Sequence, residues 1–116
     1  MSFKFEKLII WQKAMELGEN IFLTTIDFPT DEKYNLTSQI RRAVDSIALN
    51  ISEGSILQSK PEFQRFLGYA IRSCAEVVTC LYKAKYRKYI SEEKFDTLYS
   101  DCYNLTNMMI GFRNKL

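Results

Sequence analysis

Five residues of the stretch LTSQIRRAVDSIALNISEG, Leu36 to Gly54, recur at steps of three and four: Gln39, Arg42, Ser46, Asn50 and Glu53. At helical spacing they form one stripe, polar and mostly small, where a merely solvated helix usually shows Lys and Glu. Three uses are open to it. Buried against another subunit, its amides would fix register. It could line a ligand groove, or it could be an ordinary hydrogen-bonded face. Catalysis fits poorly. Glu53 has no partner carboxylate nearby in sequence, and no nucleophile is flanked by a base. Histidine, the commonest general base and metal ligand, is absent. The cysteines are Cys74, Cys80 and Cys102, odd in number and without C-x-x-C spacing. They read as free thiols, Cys74 and Cys102 on core seams and Cys80 off its seam. We therefore expect no catalytic residue, no metal site and no cofactor.

A second line of candidates lies further on. Arg65, Tyr69, Arg72, Glu76, Lys83 and Arg87 fall within a narrow sector of one helix. At about 1.5 Å per residue the line is about 33 Å long. It ends in KAKYRKY, residues 83–89, where basic residues interleave with Tyr86 and Tyr89. Cations along a rod suit a phosphate backbone, and tyrosines can stack on unpaired bases. Helix C-terminal turns also attract Lys and Arg through the dipole, which is the plainer reading. The net charge of +2 implies no nucleic-acid partner by itself. The candidate nucleic-acid contacts are Arg41, Arg42, Arg65, Tyr69, Arg72, Lys83, Tyr86 and Arg87. The candidate polar network or subunit contact is Gln39, Arg42, Ser46, Asn50, Glu53 and Glu76, with Glu76 as a cross-helix partner for Arg42.

These residues need helices to position them. Pro29 in DFPTDE, Gly54 in GSILQSK and YISEE around Ser91 are the breaks. Ser59-Lys60-Pro61-Glu62 reads as a capping box with proline in the first turn. Ser91 is an N-cap followed by Glu92 and Glu93 at the helix's positive end. Four helices follow, at about 7–27, 31–53, 60–88 and 92–115, in a single domain spanning 1–116. Short connections make successive helices antiparallel. Phe95, Leu98, Cys102, Leu105, Met109, Phe112 and Leu116 form one seam. Phe63, Leu67, Ala70, Cys74, Val77, Leu81 and Ala84 form another, and Leu36, Ile40, Ala43, Ile47 and Ile51 a third. No segment alternates with period two. The fold class is all-α, an antiparallel up-down-up-down four-helix bundle.

The first helix has two apolar stripes: Leu8, Trp11, Met15 and Phe22 beside Ile10, Ala14, Leu17 and Ile21. That face is wider than one groove covers, and the chain has eight Phe, seven Tyr and one Trp to place. Some should lie in an interface, so homo-oligomerisation is expected. No run of 18 apolar residues is present, so no spanning helix and no membrane partner is expected. The apolar run Leu8 to Trp11 is too short for a signal peptide, and a cytoplasmic protein is expected.

FEKLIIWQKAMEL, YNLTSQIRRAVDSIALNISEG and SKPEFQRFLGYAIRSCAEVVTCL together resemble the bacterial four-helix-bundle proteins named for intervening sequences in 23S ribosomal RNA. The resemblance runs from Phe5 to about Tyr89. It rests on Phe5-Glu6, Trp11-Gln12, Leu36 to Ala43, Asn50 to Gly54 and Glu62 to Leu67. It implies a ring, typically of five subunits. It also implies a fold shared with accessory proteins of diversity-generating retroelements, basic barrels that bind nucleic acid and a reverse transcriptase. Two positions depart from the family pattern. Ala48 stands where the family often has proline. Ser55-Ile56-Leu57-Gln58 stands where a basic residue often follows the Glu-Gly pair, which removes positive charge from that loop. The expectation is a non-enzymatic homo-oligomer that binds RNA or DNA. The rival is a scaffold whose polar stripe, Gln39 to Glu53, docks a partner protein.

Overall fold

In a computed structural model, residues 1–56 and 59–116 are described. The reading of the loop at Leu57 and Gln58 lies outside the described residues. The helices are α1 (Ile9–Thr25), α2 (Leu36–Ser55), α3 (Lys60–Tyr86) and α4 (Glu92–Asn114). Short 3-10 turns cover Lys4–Lys7 and Thr30–Glu32.

The three-and-four spacing puts one face of each helix inside. Ile10, Ala14, Leu17 and Ile21 of α1 meet the seam residues of α2, α3 and α4 in one core. Each buried Leu or Ile contributes about 1.5–3 kcal/mol. α1 packs on α2 and α4, and α3 packs on the same two. α1 is thus diagonal to α3, and α2 to α4, in a four-helix bundle of 43 × 23 × 22 Å. Cys80 is buried like Cys74 and Cys102, which corrects the off-seam reading. It sits at the edge of the buried α3 face, 1% exposed. No described helix is long and apolar enough to cross a membrane.

The helix ends differ from expectation for local reasons. Residues 31–35 are not α-helical. Thr30–Glu32 forms a 3-10 turn, and the Leu36 N–H donates to the Glu32 carboxylate at 3.3 Å. Ser59 accepts from the Glu62 N–H at 3.3 Å, but Glu62 turns to Arg65 instead of reaching back, so half the capping box forms. Ser91 caps α4 by accepting from the Lys94 N–H at 3.0 Å.

α3 stops at Tyr86 because Lys88 takes a φ of 61°. The Tyr89 N–H donates to the Ala84 carbonyl at 2.8 Å and the Lys88 N–H to Lys85 at 3.0 Å. That is a Schellman ending with lysine where glycine usually stands.

The break expected at Gly54 falls there, with α2 ending one residue on at Ser55 and Gly54 in its last turn. A Cβ there would stand 2.6 Å from Phe66 Cβ and 3.0 Å from Phe63 Cδ1. Glycine is needed here because α2 and α3 approach so closely.

Candidate nucleic-acid interface

The α2–α3 side of the bundle is built on two hydroxyls. Ser46 Oγ of α2 and Ser73 Oγ of α3 lie 2.6 Å apart. The Asn50 side-chain amide donates to the Ser46 carbonyl at 2.8 Å. Small side chains let the helices meet, and their polar atoms satisfy one another at the crossing. Gln39 and Asn50 are half-buried beside this crossing, and Arg42 and Glu53 are exposed along its rim. The stripe singled out in the sequence is thus the α2 edge of a helix–helix seam. Its rim reaches solvent.

The α3 line continues the same surface. Arg65 pairs with Glu62, and its Nη1 donates to the Tyr69 hydroxyl at 3.2 Å. Its guanidinium also lies 5.6 Å from the Phe66 ring centroid. The Glu62 hydrogen bond, followed by that carboxylate's charge, raises the Arg65 pKa further. Arg72, Glu76 and Lys83 are exposed. Among the described residues, Arg42, Arg72 and Lys83 join no salt bridge, and Arg42 and Glu76 do not pair. Tyr86 is exposed at the border with α4, 5.9 Å from the Tyr82 ring.

Two candidates point elsewhere. Arg41 is one step of about 100° from Arg42, and that step turns it to α1. Its Nε donates to Thr25 Oγ1 at 2.8 Å, and the guanidinium lies 4.7 Å from the Phe22 ring. Arg87 folds back to Glu32, with Nη1 3.2 Å from Oε2. The structure therefore brings together Arg42, Arg65, Tyr69, Arg72 and Lys83, leaves Tyr86 at the edge, and commits Arg41 and Arg87 to the fold.

Glu32 was missed. Buried at one end of the bundle, it accepts from the Tyr89 hydroxyl at 2.7 Å, the Asn35 side-chain amide at 2.9 Å, the Leu36 N–H and Arg87. The Tyr89 bond, ahead of the other donors, holds its carboxyl below the usual carboxylate range against the opposing effect of burial. The only sequence signal was an acid shortly before a helix. Among the described residues, no three of His, Cys, Asp and Glu gather as metal ligands would.

The sequence matches the family model described as 23S rRNA-intervening sequence protein over residues 6–111. A solved structure is similar in fold: a protein of unknown function from the S23 ribosomal protein family of Bacteroides thetaiotaomicron VPI-5482. It has a TM-score of 0.82 and 23% identity, over 90% of this chain and 98% of that one. At that identity the likeness concerns the fold. No curated protein matches the chain.

Proposed function

Because the chain belongs to the 23S rRNA-intervening sequence protein family, we propose that it is a non-enzymatic, cytoplasmic bundle that assembles into a homo-oligomeric ring and binds single-stranded nucleic acid, RNA first. The ring of five comes from the family resemblance. One observation carries the binding reading: Arg42, Arg72 and Lys83 share the α2–α3 side with Arg65 and Tyr69, and none of the three is tied into a salt bridge among the described residues. Repeated around a ring, a modest cationic side becomes a larger field.

Fluorescence anisotropy with a labelled single-stranded RNA, over a salt series, tests this. Affinity should fall linearly on a log–log plot, and Arg72→Glu with Lys83→Glu should weaken every sequence alike and flatten the slope. No binding at low salt by an assembled wild-type protein would end the reading.

The rival, a scaffold for a partner protein, draws support from the exposed Phe22, Leu23 and Ile26 of the α1 end. Protein capture of that kind should depend weakly on salt and survive both reversals.

A further inference from the structure

Two apolar surfaces not consumed by the core lie on opposite sides of the bundle. The first is a hollow of about 450 Å³ between α1 and α2. Its floor is small, Ala14, Gly18 and Ala48, and its walls are Trp11, Met15 and Leu49. Met15 is 43% and Leu49 55% exposed. Two carboxylates, Glu19 and Asp45, line it too, and neither joins a salt bridge among the described residues.

The second surface is a stripe on α4, Tyr99, Tyr103, Thr106 and Ile110, at steps of three and four but off the core seam. Tyr103 is 59% and Ile110 42% exposed. The rings are held in place. Tyr99 meets Tyr82 of α3 at 6.3 Å, and the Tyr99 and Tyr103 rings stack at 6.4 Å and 16°. The stripe therefore looks out on the α3–α4 side. Because α1 is diagonal to α3, that side is opposite the hollow.

We infer that the α4 stripe of one copy seats in the α1–α2 hollow of the next, head to tail. This rests on the homo-oligomer reading above and names its joint. The occupant is a second copy because both halves of the joint are on one chain. Ordered, protruding rings face a hollow floored by small residues. The phenol of Tyr103 brings an O–H donor, and Glu19 and Asp45 supply acceptors. A long side of 43 × 23 Å can hold the roughly 800 Å² per partner of a standard interface. A patch that met its own copy would stop at a dimer. Unlike patches on opposite sides add subunits head to tail, giving a ring where the rotation closes and an open filament where it does not. The α2–α3 side is then left free for nucleic acid.

Light scattering after size exclusion tests the joint, with circular dichroism as the check on folding. Wild type should exceed a dimer. Met15→Glu damages only the hollow and Tyr103→Glu only the stripe, and each should run as a monomer. Mixed one to one, the intact stripe of the first meets the intact hollow of the second. The mixture should form a species of two chains and nothing larger. Ile110→Ser is a second stripe variant should Tyr103→Glu lose helix. Stripe variants that assemble like wild type, or a mixture that stays monomeric, overturn this joint while the oligomer stands. A monomeric wild type overturns both.

Discussion

The Tyr89 hydroxyl donates a 2.7 Å hydrogen bond to Glu32 Oε2, joining the turn after α3 to the turn before α2. The bond lowers the Glu32 pKa and raises that of Tyr89. An acid with a lowered folded pKa contributes stability above its unfolded value, about 4.3, and loses it as pH falls through the folded one. A phenol with a raised folded pKa contributes below about 10 and loses that as pH rises through its folded value. Stability should fall on both limbs. Urea midpoints against pH should show Glu32→Gln less stable near neutrality, with a shallower acid limb than wild type. An identical acid limb would count against the assignment.

Lys88→Gly should stabilise the bundle. A left-handed residue other than glycine costs about 1–2 kcal/mol, and glycine gives back about 0.4–1 kcal/mol through unfolded-chain freedom. A net gain on the order of 0.5–1 kcal/mol is expected from urea unfolding. A loss would mean that the lysine side chain matters more than its backbone.

Gly54→Ala should destabilise, although alanine is the better helix former. The new Cβ would crowd Phe66 Cβ, 2.6 Å away. Overpacking of this kind costs about 1–3 kcal/mol, more than the roughly 1 kcal/mol gained in helix propensity. Thermal unfolding reads the sign directly.

Arg41→Ala should cost on the order of 1 kcal/mol of stability, through the lost Thr25 hydrogen bond and the lost contact with Phe22. RNA affinity should be unchanged once folding is matched. Arg72→Glu should do the reverse. If Arg41→Ala weakens RNA binding without loss of stability, the division between the two sides of α2 is wrong.

The seams were legible because burial repeats every three or four residues. Leu36, Ile40, Ala43, Ile47 and Ile51 could hardly read otherwise, and all five are buried. What was hidden depends on partners far along the chain. Glu32 meets Arg87, 55 residues away, so before folding it is only an acid ahead of a helix. Gly54 marks the end of α2 as read, but its close fit against Phe63 and Phe66 was hidden because both come from another helix. Arg41 and Arg42 are adjacent letters on different edges of α2, and only the packed bundle shows that Arg41's edge meets Thr25 and Phe22 of α1. Lys88 gave no sign of its left-handed backbone, since nothing in its side chain asks for it.

The close approach at Gly54 also sets an order of opening. α2 and α3 share the most extensive contact of any pair of helices, and the connection between them is short. Their amides should exchange with deuterium last. The ends of α1 and α4, which meet each other over a smaller area, should exchange first. A chain that opens this way sheds its outer helices while the central hairpin holds. The surface bearing Arg42, Arg72 and Lys83 would then outlast the α1 and α4 surfaces proposed to join copies.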